Sequence, residues 1–524
     1  MKIKLVPFLL SCLLFVGCSS NLEIESHRFL NADQETSLTY DLWDGTKSSF
    51  FSAGQGTMKN PYIIGSAKDL AYLQSQVSKG TYYSGSYFEL NCNIDLNNIA
   101  WGGIGNGYSS GAFKGTLDGK NHYIKNIKMD AQSASRKGFF NSNSGKISNL
   151  NLIGSLTGGA IDSSCFGLFA GINYGEINNV NVDANVEVKG IYVGGLIGCN
   201  AGGNIYNSSV TSGLVKGTNL VGGIIGYNMV SSGVIGSVNY CENYATITAK
   251  DYLNENYSGI GGIVGTCGSG TSINECVNYG DVNGEGNSVG GTGGIVGNNF
   301  NTLITNCTNK GTISSYQNAG GIIGYSRNAH NVAGCVNEGD IIGDIAIGGI
   351  VGYNRTKIYN CTNEGRIIGD KHNISYWIGG IVGMNGSNVI IDRSINKGLV
   401  YGVGSSSGGV GGIAGSNYSS TITNCENHAD IEGMYRVGGI VGFSQNNGGF
   451  ILDSINYGNF ITTATYGTVS LGGIIGYNQA SVIGCENYGQ YLFKNNGYFE
   501  MYGYIVGYDT IGSSKVYNNI NHKN

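Results

Sequence analysis

Proline is almost missing from this chain: only Pro7 and Pro61 occur among 524 residues. Its 90 glycines therefore do not form a disordered glycine/proline linker, and no glycine at every third position makes them collagen-like. Charged residues are scarce at 12%, and the formal net charge is −5, or −7 without Lys2 and Lys4. No basic stripe is visible, which argues against nucleic acid as a partner, and the acidic excess is too small for cation storage. The apolar run from Leu5 to Val16 is too short for a permanent membrane-spanning helix. Catalytic motifs are also lacking. None of the six histidines, His27, His122, His330, His372, His428 and His522, belongs to His-Glu-x-x-His, and no phosphate loop occurs. The string Gly-x-Ser-x-Gly falls at 107–111, 286–290 and 404–408, as expected by chance among ninety glycines, without the strand-to-helix pattern of a nucleophile elbow. No catalytic motif compels an enzymatic reading, and no cofactor is expected.

The chain does open with an address. Lys2 and Lys4 precede the apolar run, which ends in Phe15-Val16-Gly17-Cys18, the layout of a secretory leader. These last four residues resemble the bacterial lipobox, although Phe15 stands where Leu is commonest. The resemblance implies a diacylglycerol on the Cys18 sulfur, cleavage before Cys18 and acylation of the new amino terminus. Several acyl chains anchor stably where one is marginal. The plain alternative is a cleaved leader with an incidental cysteine. Ser19 follows Cys18, with no acidic residue to suggest inner-membrane retention, so an outer-membrane, surface-exposed lipoprotein is expected. Residues 1–17 read as signal peptide and 18–55 as a lipidated, flexible tether.

Beyond the tether the chain repeats itself. Gly-Gly-Ile-Val-Gly or a near relative begins at Gly194, Gly222, Gly261, Gly293, Gly320, Gly348, Gly379, Gly411, Gly438 and Gly472, at intervals of 27 to 39 residues. Between these strings lie others such as Ile304-Thr305-Asn306-Cys307-Thr308-Asn309-Lys310-Gly311 and Ile358-Tyr359-Asn360-Cys361-Thr362-Asn363-Glu364-Gly365. Short β-branched runs punctuated by Asn and Gly signal strands and turns, with no helical period. One such unit cannot bury its own apolar face, whereas a stack of copies can. The strings resemble the GLUG-motif repeats of bacterial surface proteins over roughly residues 138–510. That resemblance implies an all-β fold, a right-handed parallel β-helix of about 30-residue coils, in an adhesin-like protein. The motif also decorates immunoglobulin-cleaving metallopeptidases, whose zinc motif this chain lacks. Residues 56–137 are expected to form an N-terminal cap and the first coils, and 511–524 a C-terminal cap. One helix is expected, from Ser66 to Val77, with Ser66 as N-cap and Leu70, Leu73 and Val77 on one face.

Equivalent residues of successive coils stack about 4.8 Å apart, so alignment reads as columns. One holds Cys241, Cys276, Cys307, Cys335, Cys361, Ser394, Cys425, Ser454 and Cys485. Serine in place of cysteine suggests a demand for a small side chain; a disulfide ladder or metal site are the alternatives. Two residues on stand Asn243, Asn278, Asn309, Asn337, Asn363, Asn396, Asn427, Asn456 and Asn487, an expected amide ladder. The next position varies from Tyr244 to Tyr488, as solvent-facing positions do, and places Lys310 beside Glu338 and Glu364 beside Lys397. Asp340 aligns with Arg366, and Asp344 with Asp370; the aspartate pair is a weak calcium candidate against two plain exposed carboxylates. The adjacent aliphatic residues of Gly-Gly-Ile-Val-Gly would point to opposite faces of a strand. Either a bend breaks that alternation, or the column Val264, Val296, Ile323, Val351 needs covering by a flanking segment or partner.

Tyrosine outnumbers phenylalanine 35 to 17, which suits wet recognition surfaces and sugar stacking. Tyr227, Tyr325, Tyr353 and Tyr477 share the position after the glycine string and are the candidate ligand-binding residues, unless they are an aromatic packing ladder. Insertions around 228–258 and 400–410 are the candidate loops. The expected function is adhesion or ligand binding, to a glycan or host extracellular protein. A carbohydrate-active β-helix enzyme, a polysaccharide lyase or glycosidase built on Asp340, Asp344, Asp370 and Arg366, is the first alternative. A passive spacer is the second.

Overall fold

A computed structural model describes residues 38–522 apart from 133, 160–163, 251–257, 286–289, 328–329, 370–371, 373–374, 403–407, 447, 465–468, 495–500 and 511–514. It is a parallel β-solenoid of about 14 turns. A representative coil runs through five short strands, Leu303–Thr305, Thr308–Asn309, Ile313–Ser314, Gln317–Gly320 and Ile323–Arg327. Each pairs in parallel with its equivalent one coil on: Ile304 with Val332, Asn309 with Asn337, Ile313 with Ile341, Gln317 with Ile345, Ile323 with Val351. Near the N-terminus the first strands of the coil run longer, as in Lys146–Gly158 and Glu176–Val188.

Helix α1 (Ala67–Ser78) is the expected one. Ser66 Oγ accepts from the Asp69 amide at 3.2 Å, and Leu70, Leu73 and Val77 are buried. Asp69 holds the helix to the preceding loop by accepting from Ser48 Oγ, Ser52 Oγ and the Gly65 amide. Part of the stretch expected as a flexible tether is built into the fold: Tyr40–Leu42 pairs with Asn93–Asp95, and Trp43 packs edge-on against Trp101 at 5.6 Å. An aromatic that large gains more from the cap's core than from solvent. At the other end Val516–Tyr517 and Ile520–Asn521 continue the ladders, so the described part of 511–524 is coil rather than a separate cap.

The aliphatic columns are fully enclosed. Val264, Val296, Ile323 and Val351 are wholly buried, and so are their neighbours Ile263, Ile295, Ile322 and Ile350. The reason is a bend. Gly321 and Ile322 lie in the turn between Gln317–Gly320 and Ile323–Arg327, so alternation is interrupted and both side chains face inward. No partner chain is needed to cover them.

Glycine makes that bend an arch of two sheets in backbone contact. Each arm belongs to a 13-stranded parallel sheet. Facing sheets ordinarily sit about 10 Å apart with side chains between. Here a Cβ on Gly320 would lie 2.1 Å from the Ile323 carbonyl oxygen and 2.7 Å from the Gly352 nitrogen, and one on Gly324 would lie 2.2 Å from the Thr292 nitrogen. The arms therefore interlock with the next coil, and backbone cannot step aside for a methyl group.

Two amide ladders run through the interior. The expected one is continuous: each Asn Nδ2 donates to the next Asn Oδ1 from Asn243 to Asn487, as in Asn337 to Asn363 and Asn363 to Asn396, both 2.8 Å. The second proton goes to the carbonyl two residues on, as from Asn363 to Gly365 at 2.9 Å. A second ladder lines the arch, Asn143–Asn173–Asn200–Asn228, broken and resumed at Asn354–Asn385–Asn417. Every link is a buried polar pair that costs dearly if one partner goes.

Two substitutions test this frame. Asn363→Ala orphans groups on both neighbours at about 1–3 kcal/mol each, so denaturant titration should show at least about 2 kcal/mol lost, against under about 0.5 for the exposed Glu364→Gln. Gly320→Ala should cost about 3 kcal/mol or prevent folding, and a tolerated alanine would refute backbone contact in the arch.

Candidate binding face on the glycine arch

The residue after the string Gly-Gly-Ile-x-Gly points outward from the second arm of the arch, and the residue two further on points the same way. Tyr325 and Tyr353 are Cα partners, stacked at 4.8 Å and 18°. Two residues on, Arg327 and Arg355 lie over these rings, at 5.3 and 5.4 Å from the centroids. Arg355 also donates to the Tyr353 hydroxyl at 3.1 Å, which holds its guanidinium charged more firmly than usual. Cation–π contact and this hydrogen bond fix the fork in place.

The four candidate tyrosines do not form one ladder. Tyr227 stacks on Tyr192 at 5.4 Å, and burial pushes its phenol upward. Thr266 and Asn298, both buried, separate it from Tyr325. Tyr477 packs on Phe443 at 5.2 Å and Tyr508 at 5.1 Å, beneath Arg436. Met384 and Ser416 stand between that group and Tyr353.

The outer column containing Arg327 and Arg355 continues through Gly386 to Tyr418, by register of the preceding asparagines. Its earlier members include Met229, Gly268 and Phe300. A depression occurs at each of these two glycines. One of about 820 Å3 is lined by Tyr353, Arg355, Met384, Gly386, Asn388 and Tyr418 among others. A smaller one, about 290 Å3, is lined by Tyr192, Tyr227, Gly268 and Phe300 among others and carries no charge. Arg355, Tyr418, Phe300 and the two glycines were not candidates from sequence. Their signal, a column two residues beyond the tyrosines, is diluted by insertions that follow it.

A second exposed column carries aromatic rings along another face. Tyr244 and Tyr279 stack at 4.4 Å, and His428, Tyr457, Tyr488 and His522 form a four-ring stack at 3.9 to 5.1 Å. Between them the expected ion pairs are present: Lys310 with Glu338 at 3.4 Å and Lys397 with Glu364 at 2.9 Å. Their exposure limits each to about 0.2–1 kcal/mol.

Acidic candidates part company. Asp340 is committed to Arg366, whose Nε and Nη2 both donate to its Oδ2 at 3.1 and 2.5 Å, and these hydrogen bonds hold its carboxyl below the usual range. Asp344 is wholly buried rather than exposed, and it accepts from the His372 amide at 2.8 Å and contacts His372 Nδ1 at 2.5 Å. Both carboxylate oxygens are thus engaged with His372, so Asp344 is not the plain exposed carboxylate expected. Asp370 and Cys18, with residues 251–257 and 403–407 of the two candidate insertions, lie outside the described residues.

The cysteine column is structural. Its cysteines are unbonded and buried, and each thiol sits against the carbonyl two residues back, as Cys361 does to Tyr359 at 3.3 Å. Ser394 and Ser454 make the same bond at 3.2 and 2.8 Å, which explains the exchange of Cys for Ser. A disulfide does occur elsewhere, Cys165–Cys199, with Cα atoms 5.5 Å apart on adjacent coils.

The fold and face define a glycine-arched parallel β-solenoid, a repeat protein rather than a compact globular domain. The family model of the GLUG motif matches residues 189–213, 288–314 and 343–368; the chain carries repeats of the GLUG motif. It is 29% identical over 360 residues to halomucin of Haloquadratum walsbyi, covering 55% of this chain, and 27% identical over 187 residues to a protein of Evansella cellulosilytica provisionally named a Gly-rich membrane protein, covering 34%. The matches span only 4% and 21% of those two relatives. A Bacteroides ovatus structure described as a candidate immunoglobulin A1 protease aligns at 22% identity and a TM-score of 0.38, covering 56% of this chain and 80% of that one.

Burial pushes the thiols of Cys425 and Cys485 up to about 12, from an ordinary 9.0. Above pH 9 the unfolded chain releases these protons while the folded chain keeps them, so stability falls as pH rises, by up to about 1.4 kcal/mol per pH unit per thiol. Cys425→Ser with Cys485→Ser should flatten the decline of unfolding free energy between pH 9 and 11. An unchanged slope would show that these thiols titrate normally when folded.

Proposed function

We propose that this protein is an exported, lipid-anchored surface solenoid that binds a ligand through the outer face of its glycine arch. The observation that carries the reading is the aromatic–arginine face at Tyr325, Arg327, Tyr353 and Arg355, where side chains that the fold does not need are held ordered at the surface. Buried columns repeat almost without variation, so outward variation of this kind belongs to recognition. The ligand class is a glycan or an extracellular host protein. Anchoring through Cys18 supplies the membrane contact, and a relative named as a membrane protein agrees with export.

The protein, purified in detergent, would be screened on arrays of glycans and extracellular-matrix proteins. A specific hit that weakens at least tenfold in Tyr325→Ala/Tyr353→Ala, with unchanged melting, is the expected result. A blank array would favour the spacer reading.

The carbohydrate-active alternative has one observation in its favour: the buried Asp344 carboxylate against Nδ1 of His372, whose side chain is 53% exposed. This leaves Nε2 as the outward nitrogen, the orientation a general base requires. Turnover across a polysaccharide panel, lost in His372→Ala, is what would establish it.

A further inference from the structure

In a repeat protein each coil is the control for its neighbours, so local departures from the repeat mark what the fold does not require. One departure lies on the outer column. Gly386 takes the place that Arg327, Arg355 and Tyr418 occupy in neighbouring coils, so the outer column loses a side chain there. Trp377 has φ +60°, a left-handed conformation it shares with its equivalents Asn318 (+51°) and Ala346 (+55°), so that conformation belongs to the repeat. Its backbone lies against Gly415, at 2.4 Å from where a Cβ would be, beside Ser416. Both Trp377 Nε1 and Ser416 Oγ are buried without a hydrogen-bond partner, and an unpaired buried donor is costly.

Removing one rung leaves the strands of Arg355 and Tyr418 two rungs apart, about 9.6 Å; the Arg355 stem leans over the buried Gly386, its Cγ 3.1 Å and its Nε 3.8 Å from where a Cβ would lie, so the slot opens between this stem and Tyr418. A ring seated between two walls needs about 3.5–4.0 Å on each side, and the depression of about 820 Å3 there has room for one saccharide ring. Elsewhere on these faces ring stacks occupy one another's faces. At the slot, Met384 is the only Cα partner on the next coil of Tyr353, and Gly386 presents no side chain. Among the described residues no carboxylate lies within ion-pair distance of Arg355, while its fork is oriented by Tyr353. Planar, bidentate and oriented, it fits an oxyanion.

The geometry points to a binding slot at Arg355, Gly386 and Tyr418 for a saccharide ring bearing an oxyanion, a carboxylate or a sulfate. This deepens the proposed ligand-binding function and rests on it. Tyr418 supplies the apolar wall, Arg355 the charge partner, and Asn388 a polar edge. The sister depression at Gly268, lined by Tyr227 and Phe300 without a cation, is the internal comparison: the same missing rung without charge selection.

Calorimetric titration of the whole protein with oligogalacturonate, a sulfated galactan oligosaccharide and a neutral galactan oligosaccharide tests this. Binding of either acidic probe, with the neutral one at least tenfold weaker, is expected; which acidic probe wins identifies the oxyanion. Arg355→Gln should erase the preference for acid, and Ser387→Tyr, which refills the slot from an exposed position, should weaken the acidic probe at least tenfold. Lys397→Gln, outside the face, should change neither. Equal binding of acidic and neutral probes, or acidic binding unaltered in both slot variants, overturns the slot. If an array ligand is lost in Tyr325→Ala/Tyr353→Ala but kept in Arg355→Gln and Ser387→Tyr, the slot fails while the binding face stands. No binding by any acidic probe together with a blank array removes both.

Discussion

The vertical hydrogen-bond ladder between coils is the constraint from which everything else follows. It places residue above equivalent residue at about 4.8 Å, whatever the length of the intervening loop. Repeat intervals of 27 to 39 residues therefore leave the register of Ile, Asn and Cys columns intact. The same spacing suits an amide that donates upward and accepts from below, which is why asparagine can be buried in unbroken series. It also suits ring on ring and cation beside anion, so the surface columns stack as readily as the interior ones. Stability of this kind is a sum of nearest-neighbour terms, and no single coil is a core.

Glycine does two different things under this constraint. In the arch it removes the side-chain layer between two sheets, as at Gly320 and Gly324, and allows backbone to meet backbone. On the outer column, at Gly268 and Gly386, it removes a rung and leaves a depression. The first kind recurs in every coil and defines the repeat. The second departs from it.

This difference also governs what the sequence made legible. The interior Asn and Cys columns, the cross-coil ion pairs and α1 could be read directly, because each is a short pattern at a fixed offset. The arch could not: two adjacent aliphatic residues look like a strand with one exposed face until a bend is known to lie between the arms. The second amide ladder is visible in Gly-Tyr-Asn at 226–228, 352–354 and 476–478, but Cys267, Ser326 and Ser444 interrupt it. The disulfide joins columns on different arms, so no alignment of repeats places Cys165 beside Cys199. Tyr227, Tyr325, Tyr353 and Tyr477 shared a column, yet their grouping depended on what stood between them. Asp344 read as exposed because its partner, His372, lies in an inserted segment outside the repeat.

The stacking that makes a solenoid stable works against its use as a recognition surface. A tyrosine in an unbroken ladder has both faces covered by its neighbours, so the four-ring column from His428 to His522 offers edges and hydroxyls but few open faces. A ligand that stacks needs an interruption, and one that is held by charge needs a cation not already paired along the ladder. Lys310 and Lys397 fail the second condition because Glu338 and Glu364 answer them. Arg366 fails it because of Asp340. Arg355, bound to a phenol rather than a carboxylate and bordered by a missing rung, meets both conditions. On a surface of repeating columns, binding capacity is set by where the repeat is broken.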